Sequence, residues 1–273
     1  MSTPPERPPG AVVHADPWAE LRRHTPARIA LGRAGASLPT AEVLGFGLAH
    51  AQARDAVQTP LDVPRLLAAL AASHWPALAL ASRAPDRPTY LLRPDLGRQL
   101  DPADLPLLTG AARGPCDVAL VLADGLSALA VQAHAVPLLD ALRGLLDPAW
   151  RIAPVCVVRQ GRVAIGDDIG AALRARVVAV LIGERPGLSS PDSLGVYVTY
   201  APRVGRSDAE RNCISNVRPA GLPLADGARK LAWHLREALR LQLTGVGLKD
   251  ESDIAALPAV GPPGTALEGE RRD

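Results

Sequence analysis

Residues 177–193 read VVAVLIGERPGLSSPDS, an apolar run that ends abruptly in the polar turn GERPG. A continuous run of Val, Leu and Ile predicts a strand that is buried on both faces, as in a parallel sheet. A glutamate and an arginine at the end of such a strand have two explanations. Glu184 and Arg185 lie either in a solvated turn or in a ligand site at the edge of the sheet, and the run alone leaves both open.

Short apolar runs of this kind alternate with helical patterns over residues 106–248. The strand candidates are residues 118–122, 152–158, 177–182 and 196–200, and the helix candidates are residues 138–146, 167–176 and 224–243. Alternation of strands and helices predicts a largely parallel sheet that is covered by helices. We therefore predict an α/β domain over this part of the chain.

Polar residues follow three of the strand candidates. Asp124 and Gly125 follow the first, residues 159–161 follow the second, and Glu184 and Arg185 follow the third. Ligands of open α/β sheets bind beyond the carboxyl ends of the strands. These residues are therefore predicted to meet at one edge of the sheet.

Residues 16–105 are predicted to form a small helical domain. Thr40 can cap a helix in which Leu44, Leu48 and Ala51 recur on one face, and Asp62 can cap the next helix. This part of the chain has no strand candidate, so the chain is expected to join a helical amino-terminal domain to the α/β domain.

Composition excludes several classes of protein. The 273-residue chain has a formal net charge of +2 and no basic cluster, which predicts no nucleic-acid partner. No apolar stretch reaches the ~20 residues of a membrane span and no secretory signal is recognisable, so we expect a cytoplasmic location. The three cysteines lack metal-ligand spacing, which predicts reduced thiols and no metal site. The polar residues 1–15 and 249–273 are predicted to be disordered tails.

Motifs of common catalytic chemistry are missing from the sequence. No G-x-G-x-x-G follows a strand candidate, no G-x-x-x-x-G-K-[ST] occurs, and Ser127 does not lie in a G-x-S-x-G elbow. The pairs Asp124 with Asp140 and Asp167 with Asp168 are typical of helix caps, and the six histidines are scattered singly. We therefore assign no catalytic residue to this chain.

Seven motifs identify a family that the chain resembles. In order, they are LRRHTPARIALGRAG, HAQARDAV, RPDLGRQL, ADGLSA, VVRQGRVAIGDDIG, VLIGERPGLSSPDSLGVY and ERNCISNVRPAGL. Together they resemble the small subunit (light chain) of adenosylcobalamin-dependent ethanolamine ammonia-lyase, over about residues 18–248. The resemblance implies a small helical domain followed by a Rossmann-like, cobalamin-binding α/β domain.

The resemblance also implies an activity and its partners. In that family the small subunit packs on a larger, barrel-shaped subunit, and adenosylcobalamin is held where the two meet. The large subunit carries the ethanolamine pocket, and the assembly converts ethanolamine to acetaldehyde and ammonia. This chain is thus expected to be part of an ammonia-lyase that is active only as a hetero-oligomer.

The family's cobalamin contacts fall on three residues here. They are Val163 in GRVAIGD, Glu184 in GERPG and Cys213 in RNCIS, each of which is expected to lie in a loop or just after a strand. Glu184 can accept charge-assisted hydrogen bonds, and Val163 offers apolar surface. Without the resemblance, strand packing explains Val163 and a buried core position explains Cys213.

The resemblance implies that the cofactor binds with its own benzimidazole on cobalt. A protein histidine that replaces this base lies in D-x-H-x-x-G, and no histidine here has an aspartate two residues before it. The chain is therefore expected not to ligate cobalt. Arg159, Arg162 and Arg185 are candidates for contacts to corrin amides or the nucleotide phosphate, and ion pairs with the large subunit are an equal alternative.

One alternative function and one question of location stay open. A cobalamin or nucleotide binding module without catalytic assembly, such as a carrier or sensor, is the second hypothesis. Some family members carry a longer amino-terminal extension that targets a bacterial microcompartment. The proline-rich start of this chain makes a cytoplasmic complex the simpler expectation and leaves a microcompartment possible.

Overall fold

The computed structural model describes residues 12–111 and 113–255 and has a six-stranded sheet at its centre. The described strands are β1 (Val13–His14), β2 (Arg33–Ala34), β3 (Ala77–Ala81), β4 (Cys116–Ala123), β5 (Val155–Arg159), β6 (Ala175–Gly183), β7 (Leu194–Tyr200) and β8 (Asn212–Val217). The central sheet has the order β3-β5-β4-β6-β7-β8, and β1 pairs with β2 alone. Strands β3 to β6 run parallel, whereas β7 and β8 are added antiparallel. The predicted largely parallel sheet is confirmed.

Helices cover both faces of the sheet. The described helices are α1 (Thr40–Gln58), α2 (Val63–Ala72), α3 (Arg87–Leu92), α4 (Leu105–Ala111), α5 (Ala128–Arg143), α6 (Ile165–Ala172), α7 (Leu224–Leu241) and α8 (Ser252–Ala255). Alternate residues of β4 belong to two separate apolar cores. Leu120 belongs to the core that includes residues of α2, α5 and α7, and Val121 belongs to the core that includes residues of α4 and α6. Burial on both faces explains the continuous apolar strands. None of the helices in the described part of the chain is long and apolar enough to cross a membrane.

Two strands of the central sheet were not expected from the sequence. Strand β3 pairs in parallel with β5, although it belongs to the segment that was predicted to be helical. Strand β8 pairs antiparallel with β7 and forms one edge of the sheet. The segment 16–105 is mainly helical as expected, but it also contributes this strand to the sheet, and the division into two domains stays a prediction.

The start of α2 confirms one predicted cap, and the start of α1 corrects another. The Asp62 carboxylate accepts a hydrogen bond from Arg65 N at 3.0 Å. Helix α1 instead begins at Thr40 after Pro39, with no side-chain cap. The apolar face of α1 is also not packed against the core, because Leu44 and Leu48 are exposed.

Most of the predicted tails lies outside the described residues. Within the described part, His14 pairs with Arg33 in the small sheet, and residues 252–255 form α8. Lys230 Nζ binds Asp253 Oδ1 at 2.8 Å. The disorder of the two tails stays a prediction.

Candidate cofactor site

The three polar turns that follow β4, β5 and β6 meet at the carboxyl edge of the sheet. The Asp124 carboxylate accepts hydrogen bonds from Gln160 N and Gly161 N, both at 3.0 Å. Leu126 N donates to Gly183 O at 2.9 Å. The turns are thus joined directly, as the sequence predicted for this edge.

Asp124 holds this edge together from inside the protein. The residue is buried, and desolvation raises the pKa of its carboxyl group, although the amide donors and the nearby Arg87 guanidinium act in the opposite direction. Arg87 Nη1 lies 3.6 Å from the carboxylate and also donates to Gly125 O at 2.9 Å. All these partners belong to the fold, so Asp124 is a structural clamp.

Gly125 brings two turns into close contact. Its φ of +55° lies in the left-handed region, and a Cβ there would lie 2.3 Å from Gly183 O. Only glycine avoids both the steric clash and the backbone strain. The sequence therefore has a physical reason for the Asp-Gly turn after β4.

A depression of about 370 Å³ opens beside these turns. Leu126, Val163, Glu184, Arg185 and Tyr197 are among the residues that line it. The lining combines an acidic, a basic and a phenolic side chain with apolar surface. This mixture suits a ligand that has both apolar area and hydrogen-bonding groups.

Glu184 is fixed in place by donors from β8 and from the residue that precedes β7. Its carboxylate accepts hydrogen bonds from Ser215 Oγ at 2.7 Å, from Asn216 N at 3.2 Å and from Ser193 Oγ. A carboxylate has about four acceptor positions, so these partners leave capacity for a ligand donor. A Cβ on Gly195 would lie 2.9 Å from Glu184 Oε1, and this glycine therefore makes room for the carboxylate.

The loop after Glu184 is tied to the body of the protein. Arg218 Nη1 donates to Asp192 Oδ1 at 2.6 Å, and His134 Nε2 lies 3.2 Å from Asp192 Oδ2. Desolvation opposes ionisation of Asp192, but these two hydrogen bonds keep the pKa of its carboxyl group below its usual value. Hydrogen bonds therefore hold the loop next to the depression in place.

Val163 contributes to both the depression and the core. It lines the depression and is partly buried against the apolar cluster on the α6 side of the sheet. The preceding residue is held by a hydrogen bond from Arg162 N to Gly97 O at 2.7 Å. Val163 and Glu184 therefore line the same depression, and their contact with a cofactor stays a prediction.

Cys213 lies on the edge strand β8, not in a loop as expected. It is exposed, which contradicts a core position, and it pairs directly with Tyr197 of β7. Although the residue as a whole is exposed, desolvation of the thiol and the nearby Glu184 carboxylate raise the pKa of Cys213, and the Tyr197 side chain lowers it. Cys213 is not among the residues that line the depression, but its strand partner Tyr197 is.

Sequence reasoning missed the two tyrosines of this edge. Desolvation raises the pKa of Tyr197, which lies between the predicted residues Glu184 and Cys213. Tyr90 is fully buried and donates to Gly161 O at 3.1 Å. The Tyr197 signal was available in LGVY, since that tyrosine is a polar interruption in an apolar strand, whereas nothing local marks Tyr90.

The three candidate arginines differ in their positions. Arg162 stacks on the Tyr90 ring at 4.2 Å and lines the depression, and its Nε is buried without a hydrogen-bond partner among the described residues. Arg185 lines the depression and is exposed. Arg159 is exposed at the end of β5, outside the set of residues that line it.

The chain is similar to known proteins over most of its length. Residues 15–249 match the family model described as ethanolamine ammonia-lyase light chain. The chain is 58% identical over 260 residues to the ethanolamine ammonia-lyase small subunit of Azotobacter vinelandii, covering 93% of this chain and 96% of that protein. It is 57% identical over 253 residues to the protein of the same name from Ralstonia nicotianae, covering 91% and 94%. The match spans nearly the whole described chain at high identity, and the chain therefore belongs to the ethanolamine ammonia-lyase light-chain family.

Proposed function

We propose that this chain is the small subunit of an ethanolamine ammonia-lyase and holds adenosylcobalamin at its contact with a large subunit. The observation that carries the proposal is the position of Val163, Glu184 and Tyr197 around one depression, with Cys213 paired to Tyr197. The relatives named small subunit support the existence of a larger partner.

The residues of the depression fit this cofactor chemically. The amide side chains of a corrin both donate and accept hydrogen bonds, and its ring edge is apolar. Glu184 has acceptor capacity to spare, the buried Arg162 Nε is an unused donor among the described residues, and Val163 supplies apolar contact. Adenosylcobalamin, when bound, supplies the radical chemistry of the deamination.

The chain's own residues would bind, orient and shield the cofactor. Glu184 would hold a donor of the cofactor in a fixed direction, because Ser193, Ser215 and Asn216 keep the carboxylate from rotating. The proposal assigns the cobalt ligand to the cofactor's own benzimidazole and the ethanolamine pocket to the large subunit. No residue of this chain has a catalytic role in the proposal.

Sharing of the cofactor between two chains has a thermodynamic consequence. The depression is open, so a large ligand bound to this chain alone keeps much of its surface in water. A cofactor that binds only the assembled state stabilises that state by mass action. We therefore expect tight cofactor binding and activity to appear together, when the large subunit is added.

The test is co-expression with the large subunit, followed by ultraviolet-visible spectroscopy of the purified complex with added adenosylcobalamin. We expect a complex that binds the cofactor and converts ethanolamine to acetaldehyde, whereas the isolated chain does neither. Full cofactor affinity of the isolated chain would instead support a carrier or sensor. Before the activity of the isolated chain is assayed, mass spectrometry must show that the preparation contains no large subunit.

A further inference from the structure

Helix α1 has its large apolar side chains on the outside of the protein. Val43, Leu44, Phe46 and Leu48 are between 49% and 68% exposed, whereas the residues of α1 that are buried among the described ones are Ala49 and Ala56. At about 100° per residue, the four exposed side chains cover an arc of roughly 200°. The face opposite this arc carries the buried alanines. The amino-terminal half of this helix is therefore apolar toward solvent, the reverse of a normal surface helix.

Charge is missing from the same part of the helix. Residues 43–53 contain no Asp, Glu, Lys or Arg, and Glu42 at their start is paired with Arg22 at 3.0 Å. A helix that is apolar on most sides is stable in water when another surface covers it. Contiguous exposed apolar surface of this kind marks an interaction site.

Gly47 is a second and independent observation. It lies near the middle of the exposed arc, and a Cβ added to it would meet nothing within 4 Å. Glycine inside a helix is less favourable than alanine, so the chain loses stability here without gaining internal packing. An external surface that approaches the backbone closely at Gly47 explains its presence.

The carboxyl end of α1 is joined to the candidate cofactor site. Arg87 Nε donates to Val57 O at 2.7 Å, and Arg87 Nη1 donates to Gly125 O in the turn that lines the depression. A partner that covers the depression and extends past this link along α1 would reach the exposed face at residues 43–48. The named relatives are small subunits, and a large subunit is the partner that this name implies.

We propose that the α1 face, formed by Val43, Leu44, Phe46, Gly47 and Leu48, is a docking surface for the large subunit, with Gly47 as the point of closest approach. The inference rests on the proposed function, because it takes the large subunit as the occupant. It adds a second contact area to the one around the depression. Its chemistry requires an apolar, uncharged surface on the partner.

The test compares two variants with matched controls in the full chain. Leu44→Asp with Leu48→Asp is expected to weaken binding to the large subunit at least tenfold, and Gly47→Leu is expected to weaken it similarly. Both isolated variants should keep the wild-type circular dichroism spectrum, since these positions make no core contacts. Val246→Asp, at a position that is 85% exposed outside α1, and Gly110→Ala, at a helical glycine with open space around it, should bind like wild type.

The outcomes separate this inference from the proposed function. Binding is measured by surface plasmon resonance with immobilised large subunit. A wild-type chain that does not bind overturns the proposed function. Wild-type binding that the α1 variants retain in full overturns the docking surface and leaves the proposed function standing. Sedimentation of the isolated chain tests whether a second copy covers this face. If the wild type is a dimer, the α1 variants are monomers and their binding to the large subunit is unchanged, the face is a contact between two copies. That result also overturns the inference.

Discussion

Glu184 and Ser215 are 31 residues apart in sequence, and their side chains join at 2.7 Å across the intervening strand β7. The carboxylate lies over Gly195, where a side chain would obstruct it, and reaches the edge strand β8. One residue at the carboxyl edge, next to β6, is therefore joined to β8 across β7. The same residue lines the depression, so the proposed ligand contact would use a carboxylate that also joins strands.

We expect Glu184→Ala to weaken retention of adenosylcobalamin by the complex about tenfold or more. A charge-assisted hydrogen bond contributes about 1.5–3 kcal/mol, and about 1.4 kcal/mol corresponds to a tenfold change in affinity. Spectroscopic titration of the complex with cofactor measures the loss. Ser215→Ala is the control, because it removes one donor to the carboxylate and keeps the carboxylate itself. If Glu184→Ala assembles and titrates like wild type, Glu184 is only a turn residue.

Cys213→Ser is expected to leave folding and assembly unchanged and to weaken cofactor binding less than Glu184→Ala does. Cys213 lies on an edge strand and belongs to neither apolar core, so the smaller, more polar hydroxyl meets no core packing there. Thermal melting and the same cofactor titration provide the measurement. A variant that fails to fold would contradict the exposed position of this residue.

The reactivity of Cys213 provides a test of the pKa shift. Thiolate is the reactive form, so a raised pKa predicts slower alkylation at pH 8 than that of an unstructured cysteine peptide. Tyr197→Phe removes the hydroxyl that lowers the pKa and should slow the reaction further. Glu184→Gln removes the like charge and should accelerate it. Mass spectrometry of the modified chain gives the rates, and equal rates in all three proteins would contradict the proposed contacts.

Loss of Asp167 is expected to destabilise the fold strongly. Arg211 binds both carboxylate oxygens of Asp167, at 2.8 and 2.7 Å, and both side chains are almost fully buried. Removing one partner of a buried pair costs about 3–5 kcal/mol. Urea unfolding of Asp167→Ala measures this change. Asp208→Ala is the control, since Asp208 is 94% exposed at 3.6 Å from Arg211 and its loss should cost about 1 kcal/mol or less.

Gly125→Ala is expected to disturb the candidate site and not only the turn. A left-handed backbone costs about 1–3 kcal/mol for a residue other than glycine, and the new Cβ would also collide with Gly183 O. Gly35→Ala is a matched control, because Gly35 has a similar φ of +60° and open space around it. Calorimetric melting should show a larger loss for Gly125→Ala, accompanied by weaker cofactor retention. Equal losses in the two variants would mean that the close contact has no energetic weight.

The sequence was sufficient to predict the carboxyl edge because parallel strands are recognisable from their apolar runs. Once 118–122, 152–158 and 177–182 are placed side by side, the residues that follow them must meet. Strand β3 was missed because ALALA contains no β-branched residue and continues the composition of the helix before it. Strand β8 was missed because NCISNV is polar at several positions, as an edge strand can be.

The partners of Glu184 were beyond sequence reasoning. They depend on the antiparallel register of β7 and β8, and a shift in that register occurs between Leu194 and Val196. No local pattern encodes which serine of β8 lies opposite a given glycine of β7. The position of Cys213 on a strand was missed for the same reason. The outward face of α1 was also missed, since periodicity indicates that residues share a face but not whether that face is covered by the same chain.

The irregular end of β8 has a consequence for the behaviour of the protein at high concentration. Unpaired strand edges are templates for adding another strand, which leads to aggregation. Here the register shift beside Leu194 and the left-handed backbone of Asn216, with φ of +58°, bend the edge where the donors to Glu184 lie. A flat strand pairs poorly with an irregular edge. We therefore expect the geometry that orients the carboxylate also to hinder polymerisation through this edge of the sheet.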